Sequence, residues 1–246
     1  MQQRILFDLD DTLVYCNKYF HFIIDQFADE MTTWYGAVGV NREQVMNKQI
    51  EIDVAGVNIH GFMSERFPQS LVDTYRYFAH MTGRTPSVFE EEKLWRLGNS
   101  VYELQVEPYP MMEETLYSLA ERGHELHLYT GGDYAIQYRK IVTLKLERYF
   151  EDRIYVRTHK NTSALEQILA EGAFDRDRTW MIGNSIRTDV LPALQCGIHA
   201  VYLKQDAEWK YNVVPIDATP RGALLTLTAL PEVPPAIHGY LRQPGL

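Results

Sequence analysis

Apolar positions along this chain follow two different rhythms, and the change between them divides it. The first is a short continuous run, Ile5-Leu6-Phe7, which reads as a buried strand. From Phe20 the spacing changes to steps of three and four. Phe20, Ile23, Ile24, Phe27, Met31 and Trp34 make one apolar face of a long amphipathic helix that stops near Gly36. Asn41 is placed to cap a second helix running toward Ile52, after which Gly56 and Gly61 bracket a loop. Leu71, Tyr75 and Phe78 predict a third helix ending before Gly83, and Leu94, Leu97, Val101 and Leu104 a fourth. No second strand is predicted before residue 125. That leaves roughly 110 residues between the first two strands, far more than a strand–helix crossover requires. The stretch 15–107 is therefore expected to be an inserted helical domain. The dipeptides Glu107-Pro108 and Tyr109-Pro110 mark the return to a core made of 1–14 and 108–246.

Beyond that point strand and helix alternate, which predicts a parallel sheet in an α/β core. Helices are expected over 111–122, 133–146, 162–171 and 187–196, with Asp133 as an N-cap and Pro192 early in the last helix or kinking it. Strands are expected over 125–130, 153–157, 179–183 and 198–203, with an edge strand at 224–229. The tail from Pro231 is weakly specified by its pattern.

The polar residues that break these runs fall at the strand ends. The first strand runs into Asp8-Leu9-Asp10-Asp11-Thr12, three carboxylates within four residues. Carboxylates this close repel one another, and those nearest the sheet lose solvation. A helix cap or turn would account for Asp11 and Thr12 but not for the acids on both sides of Leu9. A bivalent cation offsets both costs, and magnesium suits oxygen ligands beside a phosphate. In open α/β sheets, ligands bind at the carboxyl ends of strands. Three later tips carry polar groups. Thr130-Gly131-Gly132 offers a hydroxyl and backbone that can approach an anion, and reads equally well as an ordinary turn. Lys160 follows a strand and precedes a capped helix, although a lysine there is commonly solvated. Gly183-Asn184-Ser185-Ile186-Arg187-Thr188-Asp189 is either a capped helix start or a second metal-binding tip. Lys140 and Lys145 lie inside the preceding helix and are expected to face solvent.

Composition narrows the class. The chain has 246 residues, 46% hydrophobic and 23% charged, with net charge -9, which suits a soluble globular protein and argues against a nucleic-acid surface. Neither Cys16 nor Cys196 sits in a metal-ligand or disulfide pattern. No apolar run is long enough for a membrane span and no leader is visible, so a cytoplasmic location is expected. There is no dinucleotide fingerprint and no Walker motif.

Asp-Leu-Asp-Asp-Thr-Leu at 8–13 resembles the first motif of the haloacid dehalogenase superfamily, and the later tips follow in that family's order. The resemblance implies a doubly wound, Rossmann-like parallel-sheet core with an inserted α-helical cap. It also implies a magnesium-dependent phosphatase that works through an aspartyl-phosphate. Asp8 would be the nucleophile and Asp10 the general acid and base. Thr130, Gly131 and Lys160 would hold the phosphoryl group, and Asp8, Asp10, Asn184 and Asp189 the metal. The acid at Asp10 separates phosphatases from dehalogenases. Asn184 departs from the acid that usually follows the glycine of the fourth motif; its amide oxygen can ligate magnesium but adds no charge. The implied partner is a small soluble phosphate such as a sugar phosphate, a nucleotide or a phosphoglycolate-like acid. Tyr15, Asn17, Lys18, Arg66 and Arg76 are polar candidates for contacting it. A phosphomutase, or a weakly active binding module on the same fold, are the alternatives.

Overall fold

The computed structural model describes residues 2–242, and the chain separates into two compact units, Met1–Tyr15 with Val106–Leu246, and Cys16–Gln105. In chain order the elements are β1 (Arg4–Phe7), α1 (Asn17–Tyr35), α2 (Arg42–His60), α3 (Arg66–Thr82), α4 (Val88–Asn99), α5 (Met112–Glu121), β2 (Glu125–Gly131), α6 (Tyr134–Thr143) and α7 (Glu147–Phe150). They continue with β3 (Ile154–Arg157), α8 (Thr162–Glu171), β4 (Thr179–Gly183), α9 (Leu191–Gln195), β5 (His199–Leu203), β6 (Leu224–Leu227) and α10 (Val233–Leu241).

The larger unit is built on one six-stranded sheet in the order β3-β2-β1-β4-β5-β6, with every pairing parallel. Its strands are apolar almost throughout because both faces are covered. Ile5, Phe7, Leu126, Leu128, Trp180 and Ile182 join Leu116 of α5, Phe150 of α7 and Ile237 of α10 in one core layer. Leu6, Tyr129, Met181 and Ala200, from the opposite face, join Leu165 and Ile168 of α8 in another. The sheet is thus a doubly wound α/β core. Successive strands leave β1 in opposite directions, β2 to one side and β4 to the other. In such folds ligands bind at the carboxyl ends of the strands beside this point of reversal, here the end of β1.

The smaller unit is four helices around Phe27, Met31, Tyr35, Phe67, Leu71, Tyr75, Phe78 and Leu94. Asn41 and Gln44 form a reciprocal capping box at the start of α2. Gly83 ends α3 in the left-handed conformation at φ 72°. Gly98 lets α4 lie directly on α3, since a Cβ there would stand 2.6 Å from Pro68 Cα. Among the described residues, no helix is long and apolar enough to cross a membrane.

Four local readings need correction. Gly56 does not open a loop; α2 runs through it to His60, and only Gly61 ends the helix. Glycine weakens a helix interior without forbidding it. The single helix expected over 133–146 breaks into α6 and α7 around Lys145, whose φ is 53°. The helix expected over 187–196 begins as a π-helical stretch, Ile186–Val190, before α9. The tail from Pro231 is structural: Val233 and Ile237 of α10 are fully buried in the first core layer. Their prolines obscure the helical pattern, yet Pro234 falls in the first turn, where it costs no hydrogen bond.

Asp53 of α2 gives the smaller unit a pH dependence. Burial pushes its carboxyl up to about 7, against the opposing Ser70 hydroxyl and Arg66 guanidinium. The folded state therefore holds this proton more tightly than the unfolded chain does, and stability falls as pH rises from about 4 to 7. Asp53→Asn removes the cost of ionisation. Its thermal midpoint is expected to exceed the wild type's by a few degrees at pH 8 and to match it near pH 4. Parallel thermal melts at the two pH values check this.

Candidate active site

Sheet register places the acidic motif beside the other tips. Phe7 lies between Leu128 of β2 and Ile182 of β4, so the next residue, Asp8, leaves the sheet level with Tyr129 and Gly183. Its N–H still donates to the Ile182 carbonyl at 2.9 Å. The chain then folds back tightly. Leu13 N–H donates to the Leu9 carbonyl at 2.9 Å and Asp11 N–H to the Val14 carbonyl at 2.7 Å, with Asp11 at φ 55°. Leu9 is fully buried between the two acids, which anchors the loop.

Asp8 and Asp189 share one buried ammonium. Lys160 Nζ stands 2.5 Å from Asp8 Oδ1 and 2.5 Å from Asp189 Oδ1. All three side chains are almost wholly buried, with 8%, 1% and 3% exposure for Asp8, Asp189 and Lys160. Asp8 Oδ2 accepts a hydrogen bond from the Thr12 hydroxyl at 3.1 Å. Burial, reinforced by Asp189 and Asp10, pushes the Asp8 carboxyl well above the usual carboxylate range despite Lys160. Burial alone would lower the Lys160 ammonium, but Asp189 and Asp8 outweigh it and hold it above its ordinary value. The ammonium also lies 5.0 Å from the Tyr129 ring centroid, a cation–π distance.

The fourth tip shows why its sequence read in two ways. Ser185 Oγ accepts from the Thr188 N–H at 3.1 Å, while Asp189 Oδ2 accepts from the Ser185 N–H at 2.9 Å. That is a helix cap. The other oxygen of Asp189 faces Lys160, so one carboxylate both caps this turn and pairs with the buried ammonium. Gly183 is required by this close approach, because a Cβ there would stand 2.1 Å from Asp189 Oδ2. Asn184, 3% exposed, lies between them in the chain.

Asp10 is held from α6, a contact that sequence reasoning missed. Lys140 Nζ lies 2.6 Å from Asp10 Oδ1, and Gln137 Nε2 lies 2.9 Å from Asp10 Oδ2. Lys140 therefore does not simply face solvent. Gln137 Nε2 also reaches Thr130 Oγ1 at 2.8 Å and the Gly131 carbonyl at 2.7 Å. Of the two glycines, Gly132 directs its N–H to the Arg157 carbonyl at 3.1 Å, so that group is engaged in the turn. The one available signal for α6 is the three-residue step from Gln137 to Lys140, which puts both on one helical face. Arg76, expected as a substrate contact, makes a two-pronged ion pair with Glu91 of α4 at 2.8 and 2.7 Å. Lys18 lies over the Tyr19 ring, and Tyr15 stacks on Tyr109 with centroids 4.0 Å apart.

The donor set fits a magnesium ion. Among the described residues, no three His, Cys, Asp or Glu side chains form a metal cage. Asp8 and Asp189 are buried carboxylates here; with the Asn184 amide and the Asp10 main-chain carbonyl they would offer a set of hard oxygen donors. Two buried carboxylates against one ammonium leave negative charge uncompensated, which favours a cation over a further anion.

Comparison with known proteins gives the family. The family profile described as haloacid dehalogenase-like hydrolase matches residues 3–197. The glyceraldehyde 3-phosphate phosphatase of Methanothermobacter thermautotrophicus is 23% identical over 218 residues, which span 84% of this chain and 87% of that protein. A haloacid dehalogenase-like family hydrolase from Xanthomonas campestris superposes with a TM-score of 0.77 at 22% identity, covering 97% of this chain and 91% of the other. YfnB of Bacillus subtilis, in a structure bound to magnesium, superposes at 0.64 and 15% identity, covering 94% and 96%. With the acidic loop at the tip of β1, the buried Asp8–Lys160–Asp189 cluster and a family match over most of its length, the chain belongs to the haloacid dehalogenase-like hydrolases.

Proposed function

We propose that this hydrolase is a magnesium-dependent phosphomonoesterase acting on a small soluble phosphate through an aspartyl-phosphate on Asp8. The observation that carries the reading is the pairing at the β1 tip. One carboxylate, Asp8, sits on a buried ammonium, and a second, Asp10, stands two residues away on a separate partner. Two carboxylates in different surroundings suit different tasks. Asp8 attacks phosphorus in line and forms the P–O bond. The ester P–O bond breaks, and Asp10 gives its proton to the departing oxygen. Asp10 then takes a proton from water, the water oxygen attacks phosphorus, and the Asp8–phosphorus bond breaks to release phosphate. Proton transfer of this kind contributes about 10²–10⁴-fold. Lys160 and the Thr130 hydroxyl, beside Gly131, carry the phosphoryl oxygens, and stabilising them is the main burden of such transfers. Magnesium, held by Asp8, the Asp10 carbonyl, Asn184 and Asp189, would neutralise charge on the phosphoryl group. The M. thermautotrophicus relative, named for a triose phosphate, supports a small phosphorylated substrate.

The test is phosphate release from a panel of small esters, with triose, sugar and nucleoside phosphates and phosphoglycolate among them. Release is expected with magnesium and not with chelator. Magnesium is also expected to raise the thermal midpoint of the wild type, and Asp189→Asn to abolish that rise, since a cation that binds only the folded state stabilises it. Release that is indifferent to chelator and a midpoint indifferent to magnesium would rule out the metal assignment.

A further inference from the structure

Gln137 is an expensive residue in its position. It is 2% exposed, its Nε2 meets three acceptors within 2.9 Å, and its buried Oε1 accepts no hydrogen bond among the described residues. A buried amide with an orphaned oxygen costs free energy that a leucine of similar size would not. The backbone makes room for it. Gly132 has φ 136°, and a Cβ there would lie 3.2 Å from Gln137 Cγ, Cδ and Nε2. Three residues on, Lys140 takes the other oxygen of the same carboxylate. Both Asp10 oxygens are thus fixed from one face of α6, and Gln137 ties that carboxylate to Thr130 as well.

We infer that Gln137 and Lys140 are positioning residues that set the plane of the Asp10 carboxyl for proton transfer. This rests on the proposed role of Asp10 as general acid and base. Nucleophile, ammonium and capping network are assembled without these two residues, so Lys140 acts through Asp10, and Gln137 through Asp10 and Thr130. The part that passes through Asp10 is confined to steps in which a proton moves. An alkyl phosphate must have its leaving oxygen protonated, whereas p-nitrophenolate departs as a stable anion. Because kcat/KM reports on steps up to loss of the alcohol, it separates the two cases.

The experiment compares kcat/KM for p-nitrophenyl phosphate and for the best alkyl phosphate in the wild type, Asp10→Asn, Gln137→Leu, Lys140→Met and Lys140→Arg. Misplacing a reacting group by about 1 Å can cost about 100-fold. Lys140→Met is expected to lose about 10- to 100-fold with the alkyl ester and only a few-fold with the aryl ester; Gln137→Leu, which also releases Thr130, is expected to lose with both esters and about 10-fold more with the alkyl one. Asp10→Asn should show the same split more strongly, and Lys140→Arg should recover most of the loss. Lys140 is partly exposed, so its variants keep the test open if Gln137→Leu folds poorly. Equal losses with both esters, or none, in Gln137→Leu and Lys140→Met while Asp10→Asn splits them would overturn the inference alone. No split in Asp10→Asn would overturn the acid–base reading and the inference with it.

Discussion

Asp8→Asn is expected to abolish phosphate release, by about 10⁴-fold or more, while leaving the protein folded. The loss follows from chemistry: an amide cannot attack phosphorus, and removing the nucleophile of a hydrolase typically costs up to about 10⁶-fold in kcat. The intact fold follows from electrostatics. Asp8 is buried 2.5 Å from Lys160, and Asp189 competes for the same ammonium. Burial and that neighbour already raise its carboxyl, so a neutral side chain of the same shape relieves a cost while Lys160 keeps Asp189. The thermal midpoint should stay level or rise. Phosphate release and a thermal melt on the same preparation decide the matter. Wild-type turnover in the variant would remove Asp8 from the chemistry. A large drop in midpoint would make Asp8 a structural residue instead.

Lys160→Met is expected to strike both activity and stability, and the contrast with Asp8→Asn is the informative part. For activity, the loss of one preorganised cation at the transferring group costs about 10²–10³-fold. For stability, the methionine fills much of the same volume but leaves Asp8 and Asp189 buried with no cation between them. Breaking a buried pair by removing one partner costs about 3–5 kcal/mol. The pH dependence has a definite sign. Without Lys160 the folded protein holds a proton on one of these acids more tightly than the unfolded chain does. Its stability is then greatest below the ordinary carboxylate range and falls as pH rises through it. The deficit against the wild type should be wide at pH 8 and narrow at pH 5. Denaturant unfolding at both values measures it; a deficit independent of pH would mean that lost packing, not uncompensated charge, is responsible.

Much of this site was legible as pattern because local rules decide it. A strand ends where the apolar run ends, and a polar residue at that point lies at the sheet's carboxyl edge. That located Asp8 and offered Thr130 as a candidate, while Lys160 and Asp189 were singled out by the resemblance to the family's later motifs. Gly183 and Asn161 could be read the same way: the first from its place at a strand end, the second from its place before a helix, where its side chain accepts from Ala164 N–H at 2.9 Å.

What the chain alone determined about this protein is the kind of most of its elements and the polar residues that end several of them, because those depend on neighbours within a turn or a strand. Which tips meet was decided by the tertiary structure. Lys160 reaches Asp8 across 152 residues and Lys140 reaches Asp10 across 130, distances over which no periodicity carries information. On α6, Lys140, expected to face water, holds the second carboxylate, since the exposure of a helix face depends on what the sheet brings against it. At the chain's end, the prolines that made α10 unreadable do not prevent it from burying Val233 and Ile237. Burial belongs to the partner surface as much as to the residue, and that surface exists only once the parallel sheet has formed.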